Sequence, residues 1–141
     1  MDYSIRKLNK EDFKGFVQLI NKFRAIGKTL SKEEFDTIYD EIFSSGFIFV
    51  IKKNNKLIGS LKIVLERKFF HKCAIYAHIE DVIVDPDFRG QKLGVSLVKY
   101  AIDFCKKNNY YKIKLNCDEN LVKFYEKNNF VESGVDMTFK I

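Results

Sequence analysis

The sequence predicts an α+β domain: a central mixed, twisted β-sheet flanked by helices, with its elements in the order βααβββαβαβ. Three observations predict it. Apolar residues recur at every second position in some segments and at every third or fourth in others, and the two kinds of segment interleave along the chain. The stretch from Ala74 to Cys117 reads strand, loop, helix, strand, which pairs its two strands in parallel through a right-handed crossover. Composition supplies the core: 46% of the 141 residues are hydrophobic, with 14 Phe and 7 Tyr, which excludes disorder. Seven Gly and a single Pro exclude a collagen-like chain. With no linker, repeat or low-complexity tract, residues 1–141 read as a single domain.

Taken in order, Tyr3 to Lys7 alternates apolar and polar and forms a first strand. Phe13, Phe16, Val17, Ile20 and Phe23 keep helical spacing, so a first helix spans about 10–24. Ser31 and Glu34 fit a capping box, in which hydroxyl and carboxylate satisfy the free amides at a helix start. Phe35, Ile38, Tyr39, Ile42 and Phe43 give that second helix one apolar face, and Gly46 is expected to end it. Phe47–Ile51 is a buried strand, Lys53–Lys56 a tight turn, and Leu57–Arg67 the hairpin partner, with Leu61, Ile63 and Leu65 on one face. A further strand runs from about Ala74 to Val84 and is broken at Asp85-Pro86-Asp87, because Pro cannot continue a ladder. Lys92–Asn108 is a long amphipathic helix, Tyr111–Cys117 a strand and Leu121–Asn128 a short helix. One or two closing strands are expected in Phe130–Ile141.

Several function classes fall away early. The longest purely apolar run, Phe47–Ile51, is far short of the ~20 residues a bilayer demands. Met1–Arg6 has neither a basic start nor an apolar stretch, so no secretory signal is expected. Cys73, Cys105 and Cys117 are odd in number and contain no C-x-x-C pair, which predicts reduced thiols and a cytoplasmic protein. His71, His78 and Cys73 lack further ligands at recognised spacing, so no metal site is expected. A net charge of +6 favours anionic partners without choosing among them. No helix-turn-helix, RNA-recognition or zinc motif points to nucleic acid.

The chemistry concentrates at Val82–Gly94. An apolar strand stops, and a short loop with Gly90 and Gly94 feeds a helix whose first amides have no intrahelical acceptor. With the positive end of the helix dipole, and with Arg89 and Lys92 beside it, this is a phosphate site. Read alone, the two glycines equally suit a turn that packs helix on sheet.

Arg89-x-x-Lys92-x-Gly94 after a strand resembles the acyl-CoA pyrophosphate loop of the GNAT superfamily of N-acetyltransferases, whose usual pattern is Gln/Arg-x-x-Gly-x-Gly/Ala. Lys92 departs from the middle glycine; the contact there is made by a backbone amide, so the change costs fit more than chemistry. Glu66–His71, His78–Val84 and Cys117–Lys127, with Ile26-Gly27 and Gly134–Met137, are similar to the glucosamine 6-phosphate N-acetyltransferase branch of that superfamily. The blocks follow one another in order along nearly the whole chain. The resemblance implies acetyl transfer from acetyl-CoA to the 2-amine of glucosamine 6-phosphate by direct attack in a ternary complex, as a step towards UDP-N-acetylglucosamine. It also implies a homodimer with shared active sites.

The resemblance assigns roles residue by residue. Main-chain amides of Val82, Ile83 and Val84 would hold the acetyl oxygen, between strands that splay apart. Arg89, Gly90, Gln91, Lys92, Leu93 and Gly94 would hold the pyrophosphate. Tyr125 would be the acid that meets the leaving thiolate, although by spacing from Leu121 alone it reads as a core residue. Glu80 and Asp81 would recognise the sugar hydroxyls and amine, with Val82 beside them. Consecutive residues face opposite ways in a regular strand, and a bulge would let both reach the sugar, where the family places them. Lys68 and His71 would bind the phosphate from the same chain; Tyr111, Lys112 and Lys140 would reach in from a partner. Asn116, also among the cofactor-binding residues the resemblance implies, stands where the family carries an Asp or Glu that orients or deprotonates the amine; an amide cannot be a base, so Glu80, Asp81 or water would then take that task. Arg24 stands where relatives carry a small hydroxyl residue against the substrate.

Two other readings stay open at this point. A different acceptor (a protein N-terminus, a polyamine or an antibiotic) would leave the CoA loop unchanged. A non-catalytic module that binds acetyl-CoA or nucleic acid would release no thiol with any amine.

Overall fold

The computed structural model describes residues 2–141. Five strands form one sheet in the order β1-β2-β3-β4-β5: β1 (Ser4–Lys7), β2 (Gly46–Lys53), β3 (Lys56–Arg67), β4 (Ile75–Val84) and β5 (Lys112–Leu115). The first four pair antiparallel, and β4 pairs parallel to β5. The helices are α1 (Phe13–Phe23), α2 (Lys32–Ser44), α3 (Leu93–Lys107) and α4 (Val122–Glu126). The sheet is therefore mixed and flanked by helices, as expected from the alternating periodicities.

The first two helix starts have a local cause. Asn9 caps the 3-10 turn Lys10–Asp12 that leads into α1, and Ser31 with Glu34 closes the expected capping box on α2. Such a cap stabilises a helix by about 1 kcal/mol. The apolar stripes then decide the layers. Leu19 and Phe35 pack α1 and α2 on one face of the sheet, against Ile48, Val50, Leu57 and Ile83. Leu97, Val98 and Ala101 pack α3 on the other, against Phe49, Ile51, Leu61 and Ile79. Phe47–Ile51 is buried throughout because both faces of β2 are covered.

Three local features differ from the sequence reading. Gly46 does not cap α2, which ends at Ser44; it opens β2, where an added Cβ would lie 2.0 Å from the Ile63 carbonyl oxygen. Close backbone approach, not a left-handed cap, demands glycine there. His71, Lys72 and Cys73 take φ of 54°, 60° and 59°, so the β3–β4 connection makes a left-handed turn from residues that carry side chains. Each such residue costs roughly 1–2 kcal/mol, and the pattern has no sequence signature. The last strand of the expected order is also missing within the chain: residues 131–141 carry no regular secondary structure and are exposed. Their alternation of Val135, Met137, Phe139 and Ile141 with polar residues is a strand pattern without a strand beside it, and Phe139 is 92% exposed.

Asp85, at the end of β4, is only 1% exposed and ties the sheet to α1. One carboxylate oxygen accepts from Lys22 Nζ at 2.9 Å and the other from the Asp87 amide at 3.0 Å, with Lys56 3.5 Å away. Burial opposes ionisation, but these partners hold the carboxyl below its ordinary value. The end of β4 and the loop after it are thereby placed from three sides. No helix is long and apolar enough to cross a membrane among the described residues.

Candidate active site

The pairing of β4 and β5 is brief. Tyr76, Ala77, His78 and Ile79 lie opposite Lys112, Ile113, Lys114 and Leu115, and there the ladder ends while β4 continues to Val84. On its other side β4 stays paired with β3 as far as Gly59 opposite Val84. One edge of Glu80–Val84 is thus held by β3, and the other faces a gap left by β5. Unpaired strand amides along such an edge donate to any acceptor placed in the gap.

A bulge sits where the gap opens. Between Ser60 and Lys62 of β3, the facing residues on β4 run from Ile83 to Glu80, so β4 carries one residue too many. Asp81 absorbs it with φ of 50°. Both Glu80 and Asp81 are consequently exposed, whereas strict alternation would have hidden one of them.

At the far end of β4 the 3-10 turn Pro86–Phe88 leads through Arg89 and Gly90 into α3. Gly90 has φ of 83°, the left-handed conformation that glycine adopts at least cost. Lys92, at the N-cap, adopts φ of 60° without being glycine. Ser96 is the first residue of α3 whose N–H bonds back, to the Lys92 carbonyl at 3.1 Å. The amides of Leu93, Gly94 and Val95 therefore point out of the helix start without an intrahelical acceptor. Gly94 is held by contact: an added Cβ would lie 3.4 Å from the Phe124 ring.

That contact brings α4, and with it Tyr125, to the same end of the sheet. Tyr125 packs edge-on against Phe124 and Phe130, with ring centroids 4.9 and 5.8 Å away, and is 8% exposed. No hydrogen bond to its hydroxyl is formed among the described residues, yet no fully buried side-chain oxygen lacks a partner. The hydroxyl therefore reaches accessible space. Burial, with a smaller contribution from Cys117 nearby, pushes its pKa above the ordinary 10.0, so it stays protonated as a donor.

Asn116 is the first residue past β5, level with Glu80 across the opening if the register is carried on by one. Its Nδ2 donates to Asp136 Oδ2 at 3.0 Å.

A second cluster gathers at the start of β4. His71 stacks on Tyr111 with ring centroids 4.0 Å apart, and Tyr111 on Tyr76 at 5.6 Å. Lys112 and Lys68 lie over the Tyr76 ring at 4.7 and 5.2 Å. Glu66 accepts from Lys68 at 2.9 Å and lies 2.9 Å from His78, and these partners hold its carboxyl below the usual range. The structure thus brings Lys68, His71, Tyr111 and Lys112 together within one chain. The parallel register places Lys112 opposite Tyr76, and the β3–β4 turn returns to the same end. Four steps along β4 take the strand from Tyr76 to Glu80, about 13 Å. Two expected site residues stand apart. Arg24 is the C-cap of α1, with its guanidinium 5.9 Å from the ring of its neighbour Phe23; Lys140 lies on the exposed tail and forms no ion pair among the described residues. Sequence reasoning missed Tyr76 and Glu66; the signal for Tyr76 was its register with Lys112.

A groove of about 680 Å³ between α1 and the β2–β3 turn contains none of these residues. Two of its cations, Lys22 and Lys56, are already engaged by Asp85. No group of three or more His, Cys, Asp or Glu residues that could hold a metal occurs among the described residues.

The acetyltransferase (GNAT) family profile matches residues 4–130. The chain is 35% identical to the glucosamine 6-phosphate N-acetyltransferase of Arabidopsis thaliana, covering 96% of this chain and 95% of that protein. To the probable glucosamine 6-phosphate N-acetyltransferase of Drosophila melanogaster it is 34% identical, over 90% of this chain and 60% of that longer one. The crystal structure of the Arabidopsis enzyme superposes with a TM-score of 0.90 at 33% identity, covering 99% of both chains.

Proposed function

This chain belongs to the GNAT acetyltransferase family, and we propose on that premise that it transfers acetyl from acetyl-CoA to the 2-amine of glucosamine 6-phosphate. The observation that carries the reading is the early parting of β4 from β5 beside an exposed carboxylate pair, in a chain matching glucosamine 6-phosphate acetyltransferases over nearly its full length.

In this reading the free amides of Leu93–Val95, with Gly90 and the side chains of Arg89, Gln91 and Lys92, take the pyrophosphate at the α3 start. The acyl arm enters between β4 and β5, and amides of Val82–Val84 bond the thioester oxygen more strongly as it gains charge. Glu80 and Asp81 hold the sugar, and one of them receives the amine proton directly or through water. Holding both reactants in one cleft is worth roughly 7–11 kcal/mol of barrier. Tyr125 donates to the departing sulfur. A thiol of pKa about 8.5 is a stronger acid than a tyrosine at about 10, so a hydrogen bond that strengthens at the transition state suffices and full transfer is not required.

The phosphate is held by Lys68, Lys112, His71 and Tyr111, completed by Lys140. The chain works as a homodimer in the cytoplasm. The exposed apolar alternation of Val135, Met137 and Phe139 supports this, because a second copy supplies the strand edge that the tail lacks. Lys140 then reaches the partner's site, and the cation cluster at the start of β4 takes the phosphate of a sugar bound across the interface.

Release of CoA thiol is the test. Acetyl-CoA with glucosamine 6-phosphate gives rapid release; unphosphorylated glucosamine and a basic peptide give at least about 100-fold less at equal concentration, since a phosphate held by charge-assisted bonds contributes on the order of 3 kcal/mol. Equal release with the peptide would move the reading to another acceptor.

A further inference from the structure

The hydrogen bond between Asn116 and Asp136 joins the mouth of the opening to the tail, across 20 positions of sequence. An asparagine amide has one acceptor and one donor end, which exchange places on a half-turn of the side chain. A carboxylate against Nδ2 removes that freedom, because the flipped amide would set oxygen against oxygen. Asn116 Oδ1 is thereby left facing away from Asp136, on the residue where β5 leaves β4 and level with the exposed Glu80.

We propose that Asp136 is a positioning residue of the reaction assigned above: it locks Asn116 so that Oδ1 accepts an N–H of the acceptor amine and turns the nitrogen lone pair towards the thioester carbon. The inference rests on the proposed acetyl transfer to an amino-sugar phosphate. It gives Asn116 an active role that needs no base, with proton removal left to Glu80, Asp81 or water. It also makes the tail part of the site at a second place besides Lys140. Residue 136 is anchored at the mouth of its own cleft, and the five positions beyond it, 137–141, are left to reach outward.

Asp136→Asn is the first test, since it keeps shape and removes the charge that forbids the flip. The variant is expected to keep the melting temperature and the acetyl-CoA affinity of the parent, so that the change is read in turnover alone. Its kcat with glucosamine 6-phosphate falls about tenfold, the cost of one mispositioned hydrogen bond. The reciprocal variant Asn116→Asp/Asp136→Asn rebuilds the bond with donor and acceptor exchanged, and its kcat returns to within about threefold of the parent, as coupled residues do in a double-mutant cycle. A single variant as fast as the parent, or a double variant slower than the single, would overturn the proposal while parent turnover upholds the acceptor assignment. A parent chain without turnover on the sugar phosphate would overturn both.

Discussion

Replacing Tyr125 by Phe lowers kcat by about 10²-fold or more, the range in which a positioned general acid contributes, while acetyl-CoA binds as before. Both halves follow from where the ring sits. Its face is held by Phe124 and Phe130, and phenylalanine fills the same space, so neither the core nor the α3–α4 contact at Gly94 changes. What disappears is the one part of the side chain that no protein group engages among the described residues, the hydroxyl. Because burial raises its pKa, any loss of turnover through its ionisation lies on the alkaline side of the ordinary tyrosine value. Below that limb the donor stays protonated, and the Phe variant lacks the limb altogether. Steady-state kinetics with acetyl-CoA titration separates the two halves; unchanged turnover would remove Tyr125 from the mechanism.

The second large effect comes from the tail. A chain ending at Phe130 is expected to fold with nearly the same melting temperature, because residues 131–141 are exposed and contribute nothing to either core cluster. It is expected to run as a monomer in gel filtration and to lose acetylation of glucosamine 6-phosphate by about 10²-fold or more, since it lacks Asp136 and Lys140 and the second copy that completes the cation site. Acetyl-CoA binding survives, as its loop and strand edge lie elsewhere in the chain. A truncated chain that stays dimeric and active would refute the shared-site reading, and one that unfolds would show that the tail packs where the single chain leaves it exposed.

Much of the fold was legible because periodicity and burial agree. Phe47–Ile51 reads as a two-sided strand and is one; Leu97, Val98 and Ala101 repeat at helical spacing and cover the sheet. The junction proposed to take the pyrophosphate was legible as a strand, a loop and a helix start for the same local reason, since strand, glycines and helix start fall within thirteen residues from Val82 to Gly94. The bulge at Asp81 was legible only as what would let two neighbouring carboxylates serve one sugar; the structure shows it and leaves both Glu80 and Asp81 exposed. Long-range features escaped. Nothing local marks Asp85 as the buried partner of Lys22, 63 positions away, or Asn116 as the partner of Asp136. The left-handed turn at His71–Cys73 uses residues that ordinarily avoid that conformation, so composition argues against it. The closing strands expected in Phe130–Ile141 do not form in the single chain, because an alternating pattern specifies a face to bury and not the chain that buries it.

The most direct test of the account is a crystal structure with CoA and N-acetylglucosamine 6-phosphate bound together. The CoA sulfur is expected between β4 and β5 within hydrogen-bonding reach of the Tyr125 hydroxyl, the product acetyl oxygen on an amide of Val82–Val84, and the phosphate on Lys68 and Lys112. CoA bound elsewhere, with β5 closing against Glu80–Val84, would contradict it.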